Sequence, residues 1–427
     1  MNQQLITAAY AAWCEGNDLR TRRRRFLRYT YGNQWGDMMV DNDGNSMTEC
    51  EYLMRQFRQP LTNNLIRRLV RVIVGRYRHL AAANGLYSGP IAKAARINNL
   101  SELDSRMREE FLISGIAVQR VAAGADGTPT VMNVSPDDFF AGRFSDPCCR
   151  DLEMAGKLHS MSIHEVLARF GNNSQRRIDE LRAIFGHSDD NAPAISPAGH
   201  RFFVDDDSAR CRVIELWTLD AVHRRNRRRV DISFVWKCRW LAPDGHLLSE
   251  YTSPWRHGSH PFALKMYPLT DGKVHPFVED IIDQQRHVNR LIVMIDRIMT
   301  TAAKGVLLFP VEQRVKGFSW DDIRSRWAAP DGIIPITGQA DALPQQITGN
   351  GADAGAHKLL ELELKLFEDT SGVSNALMGE NSGGNSGSAL YESRVSNSTI
   401  ALQDIFDSFG DFTTRRNYLL QNLARKD

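Results

Sequence analysis

The sequence lacks long hydrophobic runs, and this argues against a membrane protein. Its longest apolar stretch, near residues 291–298, is interrupted by Asp296 and Arg297, far short of the roughly 20 apolar residues that cross a bilayer. The N-terminus has no charged start followed by an apolar core, so a secretory signal is not indicated. We therefore expect a soluble chain with no membrane partner.

A strong charge of one sign is also missing. The formal net charge is only +2 over 427 residues, whereas a protein whose main task is tight DNA binding carries a strongly basic footprint. Transient contact with a polyanion is still compatible with this balance, because local charge matters more than the total. With 42% hydrophobic and 24% charged residues, the composition is globular and the length allows roughly two to four domains.

Cysteines are few, and the short motifs of common enzymes are absent. The six cysteines include no CxxC, which argues against a zinc ribbon or a thioredoxin-like site, and free thiols in a reducing cytosol are expected. The P-loop pattern GxxxxGK(S/T), the zinc motif HExxH and the nucleophile elbow GxSxG do not occur. These absences predict a protein that is not an enzyme, with no catalytic, cofactor-binding or metal-binding residues and no cofactor.

Some polar groups could still suggest chemistry. The HGSH segment at 257–260 could be imagined as a metal site, but no third spaced ligand supports it, so loop histidines are the better interpretation. Acidic pairs at 137–138 and 321–322 lie in turn-like or N-cap contexts, where a carboxylate satisfies helix N–H groups. The arginine run at 22–25 could bind nucleic acid, but a solvated or inter-subunit helix face is the preferred interpretation.

Hydrophobic periodicity predicts a helix-rich α+β fold. Helical spacing recurs in segments at 3–30, 63–78, 103–115, 162–170 and 277–304. The SIHEVLARF segment also begins with a capping box, which predicts a helix start at its serine. Alternating residues predict a hairpin around GADGTP, and two further strands at 212–219 and 230–241 that are joined by HRRNRRR at a hairpin tip.

The last quarter of the chain is the most informative part. It reads as a helix-like run over Leu359–Leu377, a Gly/Ser/Asn-rich loop MGENSGGNSGSAL and a second long run of mixed polar and apolar residues at 391–420. The loop is a poor candidate for a phosphate-binding loop, because it has no lysine and no strand clearly precedes it. Glycine and serine impose no particular backbone geometry, so a small-residue loop between two helices indicates a moving mechanical part.

The order of these segments resembles the portal (head–tail connector) proteins of tailed bacteriophages and prophages, with features of the podovirus-type subgroup. The resemblance is carried by several motifs spread over most of the chain: GNQW, PLTNNLIRRLVRVIVGRYR, NVSPDDFF, IELW, PFALKMYPLTDGK, VEDIIDQQRHVNRLI and DTSGVSNALMGENSGGNSGSAL. None of them is specific alone, and their order and spacing together define the resemblance.

The resemblance implies a portal-type architecture with a wing, a two-helix stem, a small α/β clip and a long tunnel-lining helix. The implied segments are a wing at 1–276 with part of the C-terminal region, a first stem helix at 277–304, a clip at 305–351, a second stem helix at 352–371, a tunnel loop at 372–388, and a tunnel helix with the C-terminal end at 389–427. Many portals continue into a helical crown, so we expect the crown here to be very short, absent or truncated.

The function implied by the resemblance is a ring of about a dozen copies at one capsid vertex, closed by head-to-tail contacts. Double-stranded DNA would pass through it non-specifically during packaging and ejection. Implied partners are the terminase large subunit, the major capsid and scaffolding proteins, and head-completion or adaptor proteins. The implied location is the virion, with assembly in the host bacterial cytoplasm. A near-neutral chain suits this role, because a strongly basic bore would hold the DNA that it must let pass.

The resemblance also implies two groups of site residues. The DNA-channel candidates are Asn381, Ser382, Asn385, Ser386, Arg394, Arg286, Arg290 and Arg297. The partner-docking candidates in the clip are Arg314, Lys316, Trp320, Asp321, Asp322, Arg324 and Trp327. Two alternatives stay open at this point: another structural phage head or adaptor protein, and a metal-dependent hydrolase or nuclease that would use the acids at 137–138 and the histidines at 257 and 260.

Overall fold

The chain folds into two compact units of mixed helix and sheet. The first unit comprises Met1–Tyr31, Ile66–Asp280 and Gly372–Asp427, and the second comprises Gly32–Leu65 and Ile281–Ser371. The computed structural model describes residues 2–41, 43–56, 58–124, 127–186, 201–226, 229–302, 306–328, 333–337, 344–347, 352–373 and 399–423.

The helices and strands follow one another in an irregular order along the described residues. The helices are α1 (Asn2–Glu15), α2 (Asn17–Tyr31), α3 (Glu49–Arg55), α4 (Leu65–Ala83), α5 (Ala92–Ile97), α6 (Leu100–Ser114), α7 (Ile163–Phe170), α8 (Gln175–Phe185), α9 (Phe277–Ala302), α10 (Trp320–Ala328), α11 (Ala352–Ser371) and α12 (Gln403–Gln421). The strands are β1 (Met38–Val40), β2 (Ser46–Thr48), β3 (Ile116–Ala123), β4 (Pro129–Asn133), β5 (Phe139–Ala141), β6 (Met154–Ser162), β7 (Arg210–Asn226), β8 (Arg229–Leu241), β9 (Leu247–Thr252), β10 (Phe262–Met266), β11 (Leu269–Thr270), β12 (Lys273–Val274), β13 (Val306–Leu308) and β14 (Gln345–Ile347).

Both larger sheets lie in the first unit and are antiparallel. One has the strand order β5-β6-β7-β8-β9 and the other the order β10-β3-β4. Helix α1 packs on the five-stranded sheet through Ile6, Ala9 and Trp13. This apolar cluster is completed by Phe140, Leu158, Phe202, Ile214, Leu216 and Leu241. Burial of one helix stripe against one sheet face is the ordinary way to form a core of this kind.

The three-stranded sheet is covered by helices, which explains why β3 is buried along nearly its whole length. Helices α6 and α12 both contact β3, and α12 also contacts β10. Between the two helices, the Phe111 and Phe409 rings lie 5.8 Å apart. Helix α12 therefore belongs to the core of the first unit.

Several local predictions are confirmed. β3 and β4 pair antiparallel, as the first predicted hairpin requires, and β7 pairs with β8 as the second, although these strands extend into the HRRNRRR segment that was predicted to be the tip. Ser162 caps α7, where its side chain accepts from the Glu165 amide while the Glu165 side chain accepts from the Ser162 amide. This capping box was readable from the sequence because all of its partners lie within four residues.

The prediction of one helix over 3–30 is wrong, because the chain breaks at Gly16 into α1 and α2. Arg20 folds back across this break. Its guanidinium carbon lies 3.9 Å from the centroid of the Trp13 ring, and it donates a hydrogen bond to the Trp13 carbonyl. A Cβ added at Gly16 would come within 2.9 Å of Arg20 Nη1, so the small residue makes room for this contact.

The arginine run at 22–25 is not a simple solvated face. Arg23 is buried, and it donates to both oxygens of Glu110 at 2.6 and 2.8 Å and to Asp137 at 3.0 Å. Arg22 reaches Glu279 at 3.3 Å and the Val274 carbonyl at 2.9 Å. Since these partners are 87 to 257 residues away in sequence, the run's local pattern gave no sign of them.

Candidate functional site

The predicted first stem helix is α9, and in the second unit two buried amides on it hold two upstream loops. Gln285 accepts from the Leu65 amide at 2.9 Å and donates to the Asn63 carbonyl at 2.7 Å. Asn289 accepts from the Asn63 amide at 3.1 Å and donates to Gln34. We call Gln34, Asn63, Gln285 and Asn289 the amide clasp. Sequence analysis missed it, although GNQW and PLTNN contain two of its members.

Two of the DNA-channel candidates on α9 pair with an acid of the same unit. Arg290 donates to Glu49 Oε1 at 2.6 Å, and Arg286 Nη2 lies 3.5 Å from Glu49 Oε2. The Glu49 side chain is only 8% exposed while that of Arg290 is 53% exposed, so the arginines neutralise a buried carboxylate that would otherwise be costly. Arg297 lies on the exposed side of α9 near its end. A channel role for these three residues stays a prediction.

The two predicted stem helices come close to each other. His287 of α9 lies 3.6 Å from Glu363 of α11, measured from Nε2 to Oε1. Both helices also expose apolar side chains: Met294 and Met299 on α9, and Leu359, Leu362 and Leu366 on α11. The three leucines are spaced by three and four residues, so they lie along one side of α11. Exposed apolar patches are typical of surfaces that contact another molecule.

The predicted docking candidates lie in the short segment between α9 and α11. Trp320 begins α10 and is 44% exposed, with Phe309 at 6.1 Å between ring centroids and Arg314 at 5.3 Å from the ring. Val311 and Ile333 are 72% and 79% exposed. Strands β13 and β14 pair at the base of this segment. The structure thus brings an aromatic and several aliphatic side chains to the surface of one small α/β element.

The remaining docking candidates surround the start of α10. Asp322 accepts from the amide and hydroxyl of Ser319, and these hydrogen bonds lower the pKa of its carboxyl. The structural interpretation of Asp322 as an N-terminal capping partner is therefore confirmed. Arg324 and Asp321 form an exposed pair at 3.9 Å. Lys316 is exposed and Trp327 is half-buried.

The rest of the DNA-channel candidates lie outside the described residues. These are Asn381, Ser382, Asn385, Ser386 and Arg394. The predicted tunnel loop at 372–388 and the beginning of the predicted tunnel helix fall outside as well, apart from Gly372 and Val373. Within the predicted tunnel helix, the structure describes residues 399–423, which include α12.

The acids and histidines that the hydrolase alternative would use have structural partners. Asp137 is bound by Arg23, and its Oδ2 lies 3.6 Å from Arg201. His260 is buried, which lowers its pKa to about 3, and its Nδ1 accepts from the Phe262 amide. Among the described residues, no three His, Cys, Asp or Glu side chains are grouped so that they could hold a metal ion. No helix in that part of the chain is both long and apolar enough to cross a bilayer.

Comparison with known protein families identifies the class of this chain as a structural protein of the bacteriophage virion. A family model described as "Phage P22-like portal protein" matches residues 86–427. The match covers well over half of the chain, and the chain belongs to the phage P22-like portal protein family. No curated protein matches the chain significantly. The expectation of a phage portal (head–tail connector) protein that takes part in genome packaging is confirmed, and the podovirus-type subgroup is consistent with the P22-like family.

Proposed function

We propose that copies of this chain close into a ring of about a dozen subunits at one capsid vertex, where the ring conducts double-stranded DNA during packaging and ejection. The observation that carries this proposal, beside the family, is the pair of adjacent helices α9 and α11 with outward apolar side chains. In a ring, each copy contacts its two neighbours through two different surfaces, and the exposed leucines of α11 would form part of one of these surfaces.

In this proposal the segments keep the roles that the family resemblance implies. Helices α9 and α11 form the stem, the segment at 305–351 is the clip, and the segments at 372–388 and 389–427 line the tunnel. The chain is a structural component rather than an enzyme. Arg286, Arg290 and Arg297 face either the bore or the next subunit, while Asn381, Ser382, Asn385, Ser386 and Arg394 contact passing phosphates.

Electron microscopy of the purified full chain tests the ring. We expect particles with a central hole, together with a native mass of many subunits at high protein concentration. A chain that stays monomeric at every concentration, or that assembles into particles with no hole, would contradict the proposal. If the chain is an adaptor protein instead, we expect particles with no central hole.

The clip is proposed to dock the terminase large subunit and later the head-completion proteins. Its exposed Trp320, Val311 and Ile333 support this, because exposed aromatic and aliphatic side chains dominate protein interfaces. We expect the Trp320→Ser variant to retain less terminase in a pull-down while rings still form. The matched control is Met54→Ser on α3, which removes another exposed apolar side chain, at 60% exposure. Equal retention by both variants would contradict the docking role.

A further inference from the structure

Helix α4 lies in the longest stretch of the chain that has no acidic residue. No Asp or Glu occurs between Glu51 and Glu102, whereas nine Lys and Arg residues do. The chain as a whole has a formal net charge of only +2, so positive charge is concentrated in this stretch. Local charge of this kind, rather than the total, determines which partners a surface attracts.

Helix α4 buries one side and exposes the opposite side. Its buried residues are Ile66, Leu69, Val70, Ile73, Tyr77 and Ala81. The exposed residues from 68 to 79 are separated by steps of one, three and four, which places them along one side of the helix. We call them the α4 basic face; it consists of Arg68, Arg71, Gly75, Arg78 and His79.

Two of the three arginines on this face have no partner within the described part of the chain. Arg71 and Arg78 form no hydrogen bond or ion pair with any residue that the structure describes. Exposed arginines on other helices of the first unit do have such partners: Arg106 lies beside Glu102, and Arg176 lies 3.5 Å from Glu180. The α4 basic face therefore differs from an ordinary solvated face, where both signs of charge are mixed.

Folding of α4 does not explain the residues on this face. Arg67 and Arg68 lie four and three residues before Arg71, at positions where like charges destabilise a helix. Gly75 is also less favourable than alanine inside a helix, and a Cβ added there would have no heavy atom within 4 Å. Packing within the chain thus does not require a glycine at 75. Its absent side chain leaves the helix backbone open to close approach by a partner.

A nucleic acid fits the α4 basic face better than a protein does. Helix α4 contributes none of the large apolar side chains that are exposed in the described part of the chain, whereas aromatic side chains and apolar contact dominate the centre of a protein interface. Phosphate groups require only positive charge and hydrogen-bond donors. Arg68 and Arg78 are about 15 Å apart along the helix axis, and duplex DNA carries one charge per about 1.7 Å of its length. One duplex can therefore meet both ends of the face.

We propose that the α4 basic face binds the phosphate backbone of double-stranded DNA at a site separate from the channel. Arg68, Arg71 and Arg78 contact phosphates, and the strand comes closest to the helix at Gly75. Helix α4 is not among the segments that the proposed function assigns to the stem, the clip or the tunnel. The inference rests on that function in one respect, because it supplies duplex DNA as the polyanion.

Salt-dependent binding of a circular duplex tests the site. The probe is a fluorescent, relaxed, covalently closed circular duplex, which has no end that could enter the channel of an assembled ring. It is titrated with the full chain at increasing KCl concentration, and the test variant is R71A/R78A. We expect the plot of log affinity against log salt to be shallower than that of the wild-type chain by about 2, because each lost phosphate contact removes about 0.9.

The matched control is R176A/R182A, which removes the same charge from exposed positions of α8. In that helix Asp179 and Glu180 lie among the arginines, so we expect the control to keep the wild-type slope. Alanine favours helix formation, and circular dichroism should therefore show wild-type helix content in both variants.

A second test variant, G75Q, changes no charge. Its side chain would stand between Arg71 and Arg78 and keep the strand away from the helix backbone, so we expect binding to weaken several-fold. Glutamine is a better helix former than glycine, so unfolding of α4 would not be the cause of this loss. Wild-type affinity of G75Q would contradict a DNA contact at the centre of the face.

The remaining outcomes separate this inference from the proposed function. If R71A/R78A keeps the wild-type slope, or if R176A/R182A lowers the slope as much, the α4 basic face is not a DNA site. If R71A/R78A lowers the native mass of the particles but not the affinity for DNA, the face is a contact between copies and the proposal is wrong. Normal rings of R71A/R78A that bind the circle like wild type would remove this inference alone. Specific loss of DNA binding by R71A/R78A in a chain that forms no ring would keep it and remove the proposed function.

Discussion

At the scale of single residues, the first unit contains charged side chains that are buried and paired with each other. Arg416 of α12 donates to Asp104 of α6 at 2.7 and 3.1 Å, and both side chains are almost completely buried. Asp104 also accepts from Gln119 at 3.0 Å and from Tyr87 at 3.1 Å. The carboxylate thus accepts four hydrogen bonds in a buried site, where each hydrogen bond to a charge is strong and an unpaired charge is costly.

We expect Asp104→Asn to lower the free energy of unfolding by about 3 kcal/mol. The substitution removes the negative charge that pairs with Arg416, and its amide nitrogen meets groups that are themselves donors. Urea denaturation measures the change. The control is Glu102→Gln in the same helix, whose pair with Arg106 is exposed and should cost less than about 0.5 kcal/mol. Equal effects of the two substitutions would argue against the buried pair.

A buried histidine gives the first unit a pH dependence. His159 Nε2 lies 2.7 Å from Glu215 Oε2. Burial lowers the pKa of His159 to about 4, although hydrogen bonding to Glu215 acts in the opposite direction. Burial also opposes ionisation of Glu215, but Arg120 and His159 outweigh it and lower the pKa of this carboxyl. The neutral imidazole is therefore the form present in the folded protein at pH 7.

The sign of the effect follows from the lowered pKa of His159. Between pH 6.5 and pH 4 the unfolded chain takes up a proton that the folded chain does not, so stability falls as the pH falls through this window. At pH 5 the loss from His159 is about 2 kcal/mol. Urea denaturation at pH 7 and pH 5 should show a smaller drop for His159→Gln than for wild type. His164→Gln, at an exposed position of α7, should keep the wild-type drop, and identical drops in all three proteins would refute the assignment.

At the scale of elements, the amide clasp shows how side chains of the long helix α9 hold loop segments of the second unit. Gln285 and Asn289 are one turn apart on α9 and are both buried, which is unusual for polar residues on the inner side of a helix. They hydrogen-bond to backbone groups of Asn63 and Leu65. These residues lie just before and at the start of α4, where backbone groups have no regular helical partner. Buried polar groups of this kind are stabilising only while all their partners are present.

We expect Asn289→Leu to lower the free energy of unfolding by about 3 kcal/mol, because the Asn63 amide and Gln34 each lose a partner in a buried site. Hydrogen exchange should accelerate at the Asn63 amide in particular. The control is Met294→Leu, an exposed position on the same helix, where the change should stay within about 0.5 kcal/mol. Unchanged exchange at Asn63 in the Asn289→Leu protein would show that the clasp does not hold this segment.

The predictability of the elements depended on how local their determinants are. Helices α7, α9 and α11 were readable because their apolar spacing or their capping residues lie within each segment. The break between α1 and α2 was not readable, because it depends on Arg20 folding back onto Trp13. The burial of Arg23 was not readable either, since Glu110 and Asp137 lie far along the chain.

At the scale of the whole molecule, assembly is proposed to depend on the leucine stripe of α11. We expect the Leu362→Glu/Leu366→Glu double variant to shift the native mass from rings to smaller species, because two charges would be buried at the subunit contact. The helix itself should form normally, since both positions are exposed within the chain. Native mass spectrometry or analytical ultracentrifugation measures the shift, and circular dichroism checks the fold.

The matched control for assembly is Ile97→Glu/Met132→Glu. These residues of the first unit are 52% and 42% exposed, so the same change of apolar to acidic side chain occurs outside the proposed stem. The control protein should still assemble into rings. If both double variants assemble equally well, the stripe of α11 is not part of the subunit contact.

The sequence by itself determined the class of this protein and several of its helices and hairpins. Motif order, helical periodicity and the absence of enzyme motifs can each be recognised in short segments of the sequence, without knowledge of the fold. Only the tertiary structure decided which charged residues are buried and paired. Arg286 and Arg290 meet Glu49 across more than 200 residues, and burial of such groups depends on distant segments that meet only when the chain is folded.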